Sequence, residues 1–420
     1  MIQNNWFKSM RLVRSIPIHY YLISIIIIGL IVRTLLWNYF NYGGPEGELI
    51  RGYEEFFFLA RQIASADWEK YFSAWRSIQP MYPLYLAPMY YFQIHEFLYV
   101  FTLHTFFLSG TIIFLYHSTR LLFGRKIGLI SVFIYALHLQ VAHWFYFTLA
   151  DIAFHFHLAL TLWIFLISWR NCRWINFICT LFSGLALALT RTEGLFVLGI
   201  VIVLIVYKKL SEIVKPVYAF FIQIAILIIS LSIFLIIMYN NPMFHNKVLS
   251  HEYMARGLYN LSMPTPKTTF EVEEHFFAQN KLTHREKSDF GIKRIKENPW
   301  RTVGIFLKRY VEVIYPSHFM MGVSWRYIAF DFLITIFLTG GTLAAVVFSK
   351  ERRPEIIALI LVAFTIYTIV TIYQREWDLR VQLSAHVCLL IIAPYGLYTL
   401  AKRFKKNRYY PLKVIKSYLL

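Results

Sequence analysis

The sequence predicts an all-α polytopic membrane protein, a bundle of about ten transmembrane helices with amphipathic helices lying at the membrane interface. Three observations carry that expectation. Of the 420 residues, 58% are hydrophobic and 19% aromatic, with a mean hydropathy of +0.52, well beyond the roughly 45–50% apolar content of a soluble domain. Apolar stretches with few or no charges recur at the ~20-residue length that a helix needs to cross about 30 Å of hydrocarbon. The Lys and Arg that separate these stretches fall in alternate loops.

Spans are expected near residues 16–40, 97–118, 127–147, 151–169, 174–190, 194–207, 217–239, 327–348, 356–373 and 381–400. The first run is as long as a true span and has no small-residue cleavage site, so it is expected to stay as a helix. Basic residues mark one side of the membrane: Lys8, Arg11 and Arg14, then Arg120, Arg125 and Lys126, then Arg170 and Arg173. Lys208, Lys209 and Lys215 follow, then Lys350, Arg352 and Arg353, and the tail adds Lys402, Arg403, Lys405, Lys406, Arg408, Lys413 and Lys416. The positive-inside rule assigns this side, and with it both termini, to the cytoplasm. The net charge of +19 is then mostly topology, matched to an anionic inner leaflet. A nucleic-acid-binding face needs its charges gathered on one polar domain, and these are not. Cys172, Cys179 and Cys388 lie in or beside spans and show neither disulfide nor metal-ligand spacing.

This orientation leaves two long segments outward, residues 41–96 and 240–326, where chemistry on polar substrates belongs. In the first, Tyr53, Phe56, Phe57, Ala60, Ile63 and Ala64 follow the helical period and place Glu54, Glu55, Arg61, Gln62 and Ser65 on the other face. Such a helix lies in the interface, apolar side down. The stretch Gln79–Ile94 is apolar but carries Pro80, Pro83 and Pro88, so it is expected to dip or lie flat rather than span. In the second segment Val303, Phe306, Leu307, Tyr310, Val311 and Ile314 form another apolar stripe. Asn260 begins a glycosylation sequon, relevant only in a eukaryotic secretory pathway.

Asp151 opens the fourth span at its outward end, with His155 one turn on along the same face and His157 diverging. A carboxylate at a membrane edge is either a functional group or a partner for the helix dipole. Asp151 and His155 are also a candidate divalent-metal pair, whereas His104, His138 and His143 read as packed or hydrogen-bonded. Glu54 and Glu55 are candidate carboxylates or a solvated helix face. Arg191 and Glu193 lie between the fifth and sixth spans, and Arg375, Glu376, Asp378 and Arg380 precede the last. Outward arginines suit a phosphate head group, with local ion pairing as the other reading.

Taken in order, "YEEFFFLARQI", "QPMYPLYLAPMYY", "LADIAFHFHLALTLWIFL", "SGLALALTRTEGLF" and "DLRVQLSAHVCLLIIAPYGL" resemble the GT-C class of membrane glycosyltransferases. Within that class they are similar to the group of the protein O-mannosyltransferases and lipid A aminoarabinose transferases (glycosyltransferase family 39-like). The resemblance runs over nearly the whole chain and most clearly over residues 10–210. It implies a GT-C-like bundle with a transmembrane module at 1–210, including the first outward loop 41–96. A more variable module follows at 211–420, with outward segment 240–326 and basic tail 401–420. Asp151 falls where the family has the acid that starts the fourth span. The family's loop Asp falls on Gly52, with Glu54 two residues later, and its loop Lys falls on Gln79.

The implied activity is inverting transfer of a sugar from a polyprenyl-phosphate donor to an acceptor hydroxyl at the outer face of the membrane. Glu54, Glu55 and Asp151 are the implied catalytic acids, and Arg61, Gln79, Arg191, Glu193 and Arg380 the implied substrate-binding residues. A lipid-linked donor, a polar acceptor and the bilayer are the expected partners, with no nucleic acid and no cofactor beyond a possible divalent metal. The expected location is a bacterial inner membrane. A transporter or flippase of lipid-linked saccharide is the competing class, expecting polar residues or broken helices near the midplane and paired halves. A non-catalytic membrane scaffold is the third.

Overall fold

A computed structural model of the chain describes residues 17–40, 54–69, 80–147, 149–171, 173–215, 217–218, 284–314, 325–373 and 382–418. The regular elements among them are helical. In chain order these are α1 (Ile18–Phe40), α2 (Glu54–Ala64), α3 (Met81–Tyr91), α4 (Glu96–Phe123), α5 (Arg125–Leu137) and α6 (Leu139–His143), the last followed by one 3-10 turn, Trp144–Tyr146. Then come α7 (Asp151–Arg170), α8 (Trp174–Thr190), α9 (Thr192–Ile213), α10 (His284–Glu297), α11 (Pro299–Ile314), α12 (Trp325–Phe348), α13 (Arg353–Tyr373) and α14 (Gln382–Tyr418). Five of these helices are long and apolar enough to cross a membrane, and α5 with α6 and its turn makes a sixth if counted as one bent span. The chain is an all-α polytopic integral membrane protein. The expected span 217–239 lies outside the described residues except for its first two.

Burial ranks the helices. In the apolar windows of α7 and α14, 72% of residues are buried, against 22% in α1. The first two are therefore the axis of the bundle, and α1 is a peripheral staple. Its exposed Tyr20, Ile23, Ile27, Ile31 and Leu35 form an apolar face suited to lipid. α4 packs on α5 and α7, α8 on α7 and α9, α9 on α13, and α14 on α12, α13, α5 and α7. Residues from both sequence-defined modules thus share one core. α12 and α14 approach most closely at Gly341 and Gly396. A Cβ on Gly341 would lie 2.5 Å from the Ala393 carbonyl oxygen, and one on Gly396 would run into the Gly341 carbonyl. Small residues are what let two membrane helices meet at backbone distance.

One sequence expectation needs correction. The span expected at 127–147 is not one straight helix, because α5 ends at Leu137 and the following segment turns away by 51°. His138 is extended there, with φ −67° and ψ 104°, and the carbonyl that the break releases at Ala136 is taken up by Arg33 Nη1 at 3.1 Å. The proline-rich stretch, expected not to span, forms one 11-residue helix, α3, about half the length a span needs. Pro80 precedes it and Pro83 falls in its first turn, where N–H groups have no helical partner to lose. Pro88 alone lies inside it.

The surface helices dock onto the bundle. α2 packs against α3 through buried Phe57, Leu59 and Ala60. Leu59 joins the expected stripe because α3 covers it from the side, while Phe58 is left exposed. In α11 the expected stripe divides. Val303 and Leu307 stay exposed, whereas the Tyr310 ring packs tilted against Phe364 and edge-on to Tyr367 of α13.

Candidate active site

The helices α7, α8 and α9 are joined by short connections, so the start of α7, the end of α8 and the start of α9 meet at one end of the bundle. Asp151 is the first residue of α7, Thr190 the last of α8, and Arg191 lies in extended backbone at the N-cap of α9, with φ −153° and ψ 152°. That geometry turns the Arg191 side chain back across the end of α7. Its Nη1 donates to Asp151 Oδ1, while Nε and Nη2 grip Glu193 Oε2 and Oε1 at 3.2 and 3.3 Å. The guanidinium fork therefore spans two carboxylates, both nearly removed from solvent at 3% exposure for Asp151 and 8% for Glu193. Such a fork fixes both carboxylates in direction as well as place.

α3 lines the same end. Tyr82 is fully buried, and its hydroxyl donates to His104 Nε2 at 2.8 Å, because His104 Nδ1 already donates to the Phe145 carbonyl at 2.5 Å. Burial pushes the Tyr82 phenol well above its ordinary value, and the nearby charge of Asp151 adds to it. Tyr85 makes the parallel contact one turn on, 2.9 Å from His157 Nε2, and accepts at its carbonyl from the Tyr99 hydroxyl at 2.6 Å. His157 thus leaves the Asp151 face, as its spacing requires.

Glu54 and Glu55 are exposed on α2. No hydrogen bond or ion pair joins them to Asp151 among the described residues. The link between α2 and the site is apolar: the Phe56 ring stands edge-on to Tyr82 at 5.2 Å. Arg61 lies over the Tyr90 ring at 5.2 Å. It is held above its ordinary value chiefly by Tyr90, with Glu96 and Glu54 contributing. Gln79 and Arg380 lie outside the described residues. The structure therefore brings Asp151, Arg191 and Glu193 together and places Glu54, Glu55 and Arg61 on the neighbouring surface helix.

Asp151 and His155 do not fit a metal site with the described residues. His155 Nδ1 faces the Tyr135 hydroxyl at 3.2 Å, Asp151 is held by a cation, and no three His, Cys, Asp or Glu side chains gather suitably around them.

One turn beneath the Asp151 cluster lies a polar layer that the motifs do not reveal. His138, at the helix break, pairs through Nε2 with His386 Nδ1 of α14 at 3.0 Å. Arg33 of α1 is wholly buried beside them, with its guanidinium 5.4 Å from the Phe145 ring centre. The signal for Arg33 was present in the sequence: it is the lone charge inside an apolar run of spanning length, and such residues are retained for a reason. Nothing in the sequence pairs His138 with His386.

A family model described as dolichyl-phosphate-mannose-protein mannosyltransferase matches residues 80–237. The match takes in α3 to α9 and hence Tyr82, Asp151, Arg191 and Glu193, while Glu54, Glu55 and Arg61 precede it. No curated protein matches the chain significantly. The match supports a membrane glycosyltransferase of the GT-C type.

Proposed function

We propose that the chain is an inverting glycosyltransferase that moves a sugar from a polyprenyl-phosphate donor to an acceptor hydroxyl at the outer face of the membrane. The observation that carries the reading is the buried Asp151–Arg191–Glu193 cluster at one end of the bundle, inside the segment that resembles lipid-linked mannosyl transferases. In the proposed step the acceptor oxygen attacks the anomeric carbon, the bond from that carbon to the phosphate oxygen breaks, and the phosphate leaves with the electron pair. A carboxylate takes the acceptor proton, because an attacking hydroxyl needs a base within hydrogen-bond reach. The phosphate leaving group needs positive charge rather than an acid.

Asp151 is the base candidate in the bundle, and Glu54 or Glu55 the candidate from the surface helix. Arg191, occupied by two carboxylates, orients Asp151 rather than clamping substrate, with Glu193 as its second anchor. Arg61, Gln79 and Arg380 are the proposed contacts to donor and acceptor around the rim. Residues 1–210 form the module that carries the chemistry, and 211–420 complete the bundle around it. Both termini are cytoplasmic in this reading, in a bacterial inner membrane.

The test is to incubate the purified protein with a panel of polyprenyl-phosphate sugars and follow release of free carrier phosphate. Release that depends on acceptor and on Asp151 supports transfer. Movement of intact donor across vesicles without release replaces it with a transporter.

A further inference from the structure

We propose that Arg33, His138 and His155 form an anion site beneath the Asp151 cluster that takes the phosphate of the lipid carrier. Rather than repeat the rim arginines, the proposal assigns the leaving group's place inside the bundle, and it rests on the polyprenyl-phosphate reading above. Arg33 sits in an apolar helix with 0% exposure. One of its three nitrogens, Nη1, is used, donating to the Gly29 and Ala136 carbonyls at 2.8 and 3.1 Å. Nε and Nη2 have no acceptor among the described residues. Among the described residues, the groups that favour its charge are the phenols of Tyr135 and Tyr146, and no carboxylate is paired with it. A guanidinium buried in this way is costly unless an anion meets it.

The imidazoles around it are short of the same thing. His138 and His155 lie within electrostatic reach of Arg33 and of each other. His138 Nδ1 and His155 Nε2 have no partner among the described residues, while the opposite ring nitrogens are engaged by His386 and Tyr135. When His386 and the Tyr135 hydroxyl donate to those engaged nitrogens, each neutral ring carries its proton on the unpartnered one. Among the described residues, four buried nitrogens then lack an acceptor for their five N–H bonds, on Arg33 Nε, Arg33 Nη2, His138 and His155. A phosphate oxyanion supplies acceptors alone, whereas a metal cation would need lone pairs from the same rings.

The depth suits a lipid phosphate. Arg33 lies seven residues before the end of α1, and His155 and His386 each four residues into α7 and α14. At the helical rise this is about 6–10 Å below the end of the bundle. α1 is also the span with the least burial, so a carrier whose phosphate enters beside it keeps its tail in the bilayer.

The test uses the full chain in nanodiscs, with farnesyl phosphate, farnesol and inorganic phosphate as separate arms. Farnesyl phosphate is expected to bind and raise the melting temperature, with farnesol and inorganic phosphate each at least tenfold weaker. Arg33→Gln keeps a donor for the Ala136 carbonyl but removes the charge, and His155→Gln removes the ring donor. Each should weaken farnesyl phosphate at least tenfold without lowering the melting temperature of the ligand-free protein. A lower melting temperature with affinity within twofold of wild type would make Arg33 a helix cap and overturn the site. Equal binding of inorganic phosphate overturns the carrier assignment. Should Arg33→Gln fail to fold, His155→Gln decides alone. Sugar transfer by the wild type together with unaltered binding in the variants ends this inference only. A wild type that neither binds farnesyl phosphate nor releases carrier phosphate ends the functional reading with it.

Discussion

Arg191→Gln tests whether the Asp151 cluster is a built unit. The substitution takes one cation from two carboxylates that are 3% and 8% exposed and keeps a polar side chain of shorter reach. Removing one partner of a buried pair costs about 3–5 kcal/mol. The Arg191 side chain is itself 16% exposed, and the stranded carboxylates can take up protons, so the low end applies, about 3 kcal/mol. That is a shift of roughly 100-fold in the folding equilibrium, at 1.4 kcal/mol per factor of ten. Reversible unfolding in mixed micelles measures it, and a double-mutant cycle with Asp151→Asn isolates the pair. The double variant should recover about 1–3 kcal/mol relative to the sum of the single losses. Stability of Arg191→Gln within about 0.5 kcal/mol of wild type, with no coupling to Asp151, would refute the reasoning and reduce the cluster to solvated charges.

Gly396→Ala places a methyl group against the Gly341 carbonyl and should cost about 3 kcal/mol, the top of the overpacking range, seen as a lower melting temperature; a neutral result would mean that α12 and α14 stand further apart. Tyr82 keeps its proton in the folded state, where burial and then Asp151 raise it, while the unfolded chain loses that proton above about pH 10. Stability should therefore fall as pH rises through that range, since the folded state holds the extra proton, and Tyr82→Phe should remove part of the slope in melts run from pH 8 to 11. Asp151→Asn should lower turnover by about 10²-fold or more if it is the base, and Glu54→Gln/Glu55→Gln by a similar factor only if the base sits on α2; carrier-phosphate release decides between them. Cysteines placed at Asn280 and Lys406 should label from opposite sides of the membrane, and labelling of both from the same side would end the topology argument.

The bundle was largely legible in the sequence because a bilayer imposes one strict rule: every backbone group within it must be satisfied inside its own helix, over a fixed length. That rule writes itself into apolar runs, so α1, α4, α7, α9 and α14 lie where the runs place them. Asp151, Arg191 and Glu193 were legible as charges at the ends of apolar runs. Their joining was not, because a side chain's direction depends on the extended backbone at Arg191 and on how α7, α8 and α9 pack.

The break at His138 left no proline or glycine behind. It exists because Arg33, from a helix 103 positions away, takes up the Ala136 carbonyl that the break releases. His138 meets His386 across 248 positions for a similar reason, since α5 and α14 share a face only after folding. The sequence by itself determined which segments must be helices in lipid and which ends carry charge, because hydrophobic length and burial of backbone polarity are local properties. The tertiary structure alone decided which charges meet, which helix bends and which buried donors lack an acceptor, because those are set by contacts between helices far apart in the chain.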